Sequence, residues 1–272
     1  MFKDKAIIIT GGSSGLGREL AFRLAGLGAH LALVARDEKK LKTVKKELKE
    51  ISSDGQQVDV FSCDVSDNKA VETTFKKIAE RFGALNILIN SAGILRESYF
   101  ENQSLDTFHE VMDINFFGTL HCIKAVLPFF KKNKGGRVIN ISSVAGLMGV
   151  FGYSAYCSAK HAVVGLTASL RTEFHPQNIH FHIVCPPEFA SPMVDEINTY
   201  RTPENKVLAQ TIPVMTAEAV SDAVIKGIQK NQYEIIPGIS TQVLTRMEKF
   251  FPSIGRAIVD FRIKRNYKGP DK

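Results

Sequence analysis

The sequence predicts an α/β fold: a doubly wound, mainly parallel, seven-stranded sheet with helices on both faces. Short apolar runs rich in β-branched residues alternate with longer helical patterns along the chain. The alternation fills most of the 272 residues without a linker, low-complexity tract or charge block. The first run leads directly through a glycine-rich turn into a helical pattern, as at the start of a βαβ unit.

The predicted strands are Lys5–Thr10, His30–Ala35, Gln57–Cys63, Leu85–Asn90, Arg137–Ser142, Ile179–Cys185 and Tyr233–Pro237. A helical pattern follows the first of them over Arg18–Leu27. Over Leu105–Lys132, Leu105, Phe108, Val111, Met112, Phe116, Leu120 and Ile123 recur at helical spacing, and Ala159, Ala162, Val163, Leu166 and Leu170 do so over Ala155–Phe174. Both long helices are apolar around much of their circumference. That predicts burial against a second copy, in a homodimer or homotetramer, with a large core within one chain as the alternative. A single domain spanning residues 1–272 is expected.

Hydrophobic residues at 44% and charged residues at 23% set disordered, collagenous and disulfide-scaffold classes aside. Cys63, Cys122, Cys157 and Cys185 are widely separated, as for free thiols in a reducing compartment. The segment Met1–Lys5 carries no signal-peptide core, and no apolar run approaches the ~18 residues that span a bilayer. A cytoplasmic protein, at most peripheral to a membrane, is expected. The formal net charge is +7. Residues 241–272 hold eight Lys and Arg against Glu248, Asp260 and Asp271, leaving the first 240 residues almost balanced. A uniformly basic nucleic-acid binder is therefore disfavoured.

The turn after the first strand reads Thr10-Gly11-Gly12-Ser13-Ser14-Gly15-Leu16-Gly17. Such a turn lets the backbone of Gly11, Ser13, Ser14, Gly15, Leu16 and Gly17 approach a pyrophosphate at a helix N-terminus. It lacks the GK[ST] of a P-loop, which disfavours an NTPase. The second strand ends in Arg36, where an acidic residue would suit NAD; an Arg, with Lys40 one turn on, suits the 2′-phosphate of NADP. The alternative is two solvated charges. Asp37 reads as a helix N-cap. Asp64 and Val65 follow the third strand, with Asp64 able to accept from an adenine amino group. Asn90, Ala92 and Gly93 give a small-residue wall at the end of the fourth.

Ser143 follows the fifth strand, and Tyr156 and Lys160 stand four residues apart in the next helix, on one face. A nearby ammonium is expected to lower the Tyr156 pKa from its usual value of about 10 and fit the phenol for proton transfer. Ser143 can hydrogen-bond a carbonyl oxygen. Asn115 interrupts an apolar helix face and needs a polar partner, such as an ordered water. No histidine spacing suits a metal, and none is expected.

With Thr10-Gly11-x-x-x-Gly15-x-Gly17, Asn90-x-Ala92-Gly93, Asn115, Ser143 and Tyr156-x-x-x-Lys160 in this order, the chain resembles the short-chain dehydrogenase/reductase family. The resemblance implies that Tyr156 is the general acid of carbonyl reduction, or the base in the reverse direction. It implies that Lys160 lowers the Tyr156 pKa and binds the nicotinamide ribose, and that Ser143 orients and polarises the carbonyl. Asn115 would hold a water linking Lys160 to a proton relay.

Where many members have Pro-Gly, this chain has Cys185-Pro186-Pro187-Glu188-Phe189-Ala190, with Pro186 counted among the cofactor-binding residues. Together with Gly11-Gly12-Ser13-Ser14-Gly15, Val34-Ala35-Arg36 and Tyr200-Arg201-Thr202-Pro203-Glu204, this segment is similar to the branch containing 3-ketodihydrosphingosine reductases. The expected function is NADPH-dependent reduction of a lipid-like keto substrate. A 3-oxoacyl-carrier-protein reductase and a steroid or retinoid dehydrogenase are the enzyme alternatives, and an NADPH-binding scaffold at a membrane surface is the non-enzyme one. In the basic segment 241–272, apolar residues alternate with cations through Phe250–Arg265. Either a membrane-surface helix or a helix packed on the domain, lidding the cleft, fits that pattern.

Overall fold

Along β1 (Ala6–Thr10) every residue is buried, and alternate side chains feed two different cores. Ile7 and Ile9 pack on one face, Ala6 and Ile8 on the other, the period of two that a strand imposes. Such two-sided burial explains the continuous apolar runs in the sequence. The computed structural model describes residues 1–270. Asp271 and Lys272, the end of the basic segment 241–272, lie outside the described residues.

After β1 come α1 (Gly15–Gly26), β2 (His30–Ala35), α2 (Glu38–Ile51), β3 (Val58–Ser62), α3 (Asn68–Phe82) and β4 (Leu85–Asn90). The second half begins with α4 (Leu105–Met112), α5 (Gly118–Lys132), β5 (Gly136–Ile141), α6 (Ser154–Phe174) and β6 (Ile179–Val184). It continues through α7 (Pro192–Asn198), α8 (Pro203–Ala209), α9 (Ala217–Gln229) and β7 (Glu234–Ile235) to α10 (Ile239–Phe250) and α11 (Pro252–Asn266). All seven expected strands form one sheet, in the order β3-β2-β1-β4-β5-β6-β7. Every pairing is parallel, so the sheet is wholly parallel where it was expected to be mainly so. Leu20 and Leu24 of α1, Leu41 of α2 and Val224 of α9 cover one face. Phe75 of α3 and Ile123 and Phe130 of α5 cover the other. This is a Rossmann-type doubly wound sheet.

Strand order reverses between β1 and β4, and a crevice opens beyond the carboxyl ends of strands at such a point. The loops there carry the glycine turn and the Asn90–Gly93 segment. Thr10 Oγ1 ties them together, accepting from the backbone N–H of Ser91 at 3.1 Å and of Ala92 at 3.2 Å.

Two helical expectations change. The Leu105–Lys132 pattern is not one α-helix: a π-helical turn at Asp113–Phe117 separates α4 from α5. Periodicity alone does not show such a turn here, because Val111, Met112, Phe116, Leu120 and Ile123 keep near-helical spacing across it. The C-terminal stretch forms two helices. Phe251 leaves the helical region (φ −133°, ψ 54°), and Pro252 starts α11 at the position where its missing N–H matters least.

Candidate active site

The cleft beyond the sheet measures about 340 Å³. Gly11, Ser14, Gly15 and Leu16 line its β1 side, and Gly93, Asn115, Ser143, Tyr156, Lys160 and Pro186 line the rest. Ten of the residues singled out from sequence thus surround one space.

The cradle at its β1 end is shaped by two glycines. Gly11 has φ +68°, and a Cβ there would stand 2.8 Å from the backbone of Ser91 and Ala92. A Cβ on Gly17 would strike the Gly11 carbonyl oxygen, so only glycine lets the start of α1 approach the turn this closely. Ser14 precedes α1 without a side-chain cap bond, and the first turn holds no acidic residue. By contrast, α2 and α3 are capped by Asp37 and Asp67, each accepting a backbone N–H at 3.0 Å. An uncapped, glycine-lined helix start fits the pyrophosphate of a nicotinamide dinucleotide.

Arg36, Lys40, Asp64, Val65, Asn90, Ala92, Gly17 and Ser13 lie outside the lining of this cleft. Arg36 and Asp64 sit together beyond β2 and β3, Nη1 to Oδ2 at 3.8 Å, with both side chains well exposed. Asp64 Oδ1 accepts from the Ser66 backbone N–H at 2.9 Å and its hydroxyl at 2.7 Å. Lys40 faces solvent 3.9 Å from Asp37. Val65 is buried against Gly118. Asn90 is buried, its Nδ2 donating to Asn140 Oδ1 at 2.8 Å, and Asn140 donates in turn to Thr167 at 2.9 Å.

Asn115 sits in the π-helical turn and is fully buried. Its Nδ2 donates to the carbonyls of Ile94 and Val111, both at 2.9 Å, and its Oδ1 accepts from Ile94 N–H at 3.3 Å. The side chain's protein partners are thus backbone groups of the β4 loop and of α4. The amide pins the loop after β4 to the interrupted helix.

Tyr156 and Lys160 are both buried on α6. Lys160 Nζ lies 5.4 Å from the Tyr156 ring centre and donates to the Ile141 carbonyl at 3.0 Å. The expected lowering of the Tyr156 pKa is not what the environment produces. Burial, helped by Tyr153, pushes the phenol well up, against a smaller opposing effect of its hydrogen bond with Ser143. Burial likewise lowers Lys160 to about 8. Desolvation disfavours the charged form of both members of the pair. The result is a phenol held protonated, the form a proton donor needs.

Further lining residues were not singled out as site residues from sequence: Tyr153, Glu188, Asn205, Leu244, Met247, Ile258 and Val259. Tyr153 packs edge-on against Tyr156, centroids 5.8 Å apart. The last four come from α10 and α11, which fold back over the cleft. Arg262 of α11 donates to Thr211 Oγ1 at 2.7 Å, and the Lys268 N–H to Glu204 Oε1 at 2.6 Å.

Comparison with known proteins follows the same lines. A family model described as short chain dehydrogenase matches residues 5–202. The chain is 34% identical over 243 residues to the 3-ketodihydrosphingosine reductase of Bos taurus, covering 89% of this chain and 73% of the bovine protein. It is 36% identical over 222 residues to the 3-dehydrosphinganine reductase of Danio rerio, covering 81% and 67%. Among solved structures, levodione reductase superposes with a TM-score of 0.79 at 30% identity, covering 87% of this chain and 96% of that one. A variant of actinorhodin polyketide ketoreductase with NADPH superposes with a TM-score of 0.78 at 26% identity, covering 87% and 97%.

Proposed function

The chain belongs to the short-chain dehydrogenase family, and on that premise we propose that it is an NADPH-dependent reductase of a long-chain keto lipid, 3-ketodihydrosphingosine or a near relative. One observation carries the reading. The cleft that holds Ser143, Tyr156 and Lys160 is also lined by Leu244, Met247, Ile258 and Val259 of the two C-terminal helices. A polar catalytic end and an apolar wall in one cavity suit a carbonyl attached to an alkyl chain. The names of the bovine and zebrafish relatives point the same way.

In this reading the start of α1 holds the cofactor pyrophosphate, and Arg36 at the β2 tip takes the 2′-phosphate. Asn90, Ala92, Gly93 and Pro186 flank the nicotinamide half, and Lys160 donates to its ribose. When bound, the nicotinamide supplies a hydride for the carbonyl carbon. Ser143 donates to the carbonyl oxygen and orients it, and the Tyr156 phenol delivers a proton to that oxygen as it becomes an alcohol. Lys160, charged below about pH 8, stabilises the phenolate left behind. Asn115 keeps the β4 loop and the π-helical turn in register beside Lys160.

Residues 1–272 work as one domain in this account, with α10 and α11 as a lid. Phe250, Phe251 and Phe261 of that segment are exposed among Lys and Arg residues, a composition suited to an anionic membrane surface where a lipid substrate resides. Among the described residues, no helix is long and apolar enough to cross a membrane. The long helices α5 and α6 are the faces for a second copy. A second reading, 3-oxoacyl-carrier-protein reductase, draws support from Arg262, which lines the cleft where an acidic carrier would approach. NADPH oxidation measured with 3-ketodihydrosphingosine, acetoacetyl thioesters and ketosteroids separates these readings. Preferential turnover of the sphingoid ketone is expected, and turnover of none of the three would refute ketone reduction.

A further inference from the structure

The far side of Tyr156 carries polar side chains that ketone reduction itself does not use. Glu188, Tyr153 and Asn205 line the cleft together with Ser143 and Tyr156. Since the Tyr153 and Tyr156 rings touch edge-on, this polar group begins one ring away from the reacting carbonyl. Glu188 is paired with Arg201, Nη2 to Oε2 at 2.7 Å and Nη1 to Oε1 at 3.3 Å. Arg201 is the deeper partner, its side chain 4% exposed against 21% for Glu188. The carboxylate is therefore the member that meets the cavity.

Asn205, at the start of α8, is 1% exposed. Its Nδ2 donates to the Phe151 carbonyl at 2.7 Å, while its buried Oδ1 has no partner among the described residues. A buried acceptor without a donor is costly, and what it lacks is an N–H or O–H. Among the charged groups lining the cleft (Lys160, Glu188, Glu248 and Arg262), Glu188 is the carboxylate that acts on the Tyr153 phenol, which puts its negative charge beside Tyr153 and Asn205.

We propose that Glu188, with the Asn205 amide oxygen and the Tyr153 hydroxyl, binds a protonated amine next to the substrate carbonyl and so selects amino ketones over plain ketones. An ammonium offers three donors, and the site supplies a carboxylate, an unpartnered amide oxygen and a phenol oxygen. The proposal rests on the ketone-reductase reading and adds to it the group that confers specificity. The sequence segment around Pro187-Glu188 and Tyr200–Glu204 then has a chemical purpose: it brings a carboxylate to the cavity and a buried arginine to hold it.

The test compares kcat/KM, with NADPH, for a long-chain 2-amino-3-ketone and for the same ketone with hydrogen in place of the amine. Wild-type enzyme is expected to favour the amine by at least about tenfold, the scale of a charge-assisted hydrogen bond. Glu188→Gln is expected to bring that ratio close to one, and Asn205→Ala to reduce it in part. Equal turnover of both ketones by wild type overturns the proposal without needing any variant to fold. An undiminished ratio in folded Glu188→Gln overturns it as well. Reduction of neither ketone would instead refute the reading on which the proposal rests, while amine-independent reduction of both leaves that reading standing.

Discussion

Lys160 donates its ammonium to the main-chain oxygen of Ile141 at 3.0 Å while standing 5.4 Å from the centre of the Tyr156 ring. The cation is thus anchored to the end of β5 and beside the phenol at once. Both groups are buried, so each is displaced toward its neutral form. A protonated phenol beside Lys160 is the arrangement from which Tyr156 can give up a proton.

Lys160→Met removes the charge and leaves the Ile141 carbonyl without its donor. Steady-state kinetics should show kcat for ketone reduction falling by about 10²-fold, within the range for a disrupted proton-transfer step. A change below threefold would contradict the role given to Lys160.

Arg36→Ala tests the cofactor phosphate. Arg36 is largely exposed and its protein contact with Asp64 is long, so little stability depends on it. The variant should bind NADPH about tenfold or more weakly by fluorescence titration, with NADH affinity nearly unchanged. Equal losses for both cofactors would show that Arg36 does not read the phosphate.

Asn115→Ala probes the joint between the β4 loop and the π-helical turn. It strands the Ile94 N–H and C=O and the Val111 C=O, all bonded by the amide. Destabilisation of about 3 kcal/mol is expected, a fall in Tm of roughly 6–12 °C. An unchanged melting curve would mean that these backbone groups find other partners.

His182 makes stability depend on pH. The buried ring pairs Nδ1 with the Gln232 carbonyl at 2.6 Å and Nε2 with Arg137 Nη1 at 3.2 Å, which suits the neutral tautomer carrying its proton on Nδ1. Burial lowers its pKa from 6.5 to about 4. Below 6.5 the unfolded chain binds a proton that the folded one refuses, so stability present above pH 6.5 is lost as pH falls toward 4. The loss amounts to roughly 3 kcal/mol. Urea unfolding from pH 7 to 4 should show it, and His182→Phe should flatten that part of the profile. The same slope in the variant would place its origin elsewhere.

Local patterns announced the sheet, the glycine cradle and the Ser143, Tyr156 and Lys160 cluster, because each depends on residues close in sequence or on strand ends that topology gathers. The π-helical turn was hidden because Asp113–Phe117 keeps an apolar face through its extra residue. The direction of the Tyr156 shift was hidden for another reason: spacing reports that Lys160 is near, but not that both groups are desolvated. Glu188, Arg201 and Asn205 meet only through the fold of the segment after β6, and Ile258 and Val259 reach the cleft only because α11 folds back over it. Such long-range encounters leave no local periodicity to read.

The central claim is that Tyr156 donates the proton in NADPH-dependent reduction of a long-chain ketone. Its most direct measurement is NADPH oxidation with 3-ketodihydrosphingosine by wild-type protein and by Tyr156→Phe, alongside NADPH affinity for both. Wild type should oxidise NADPH with stoichiometric alcohol formation, and Tyr156→Phe should lose about 10²–10⁴-fold in kcat while still binding NADPH. Full activity in Tyr156→Phe, or no ketone-dependent NADPH oxidation by wild type, would contradict it.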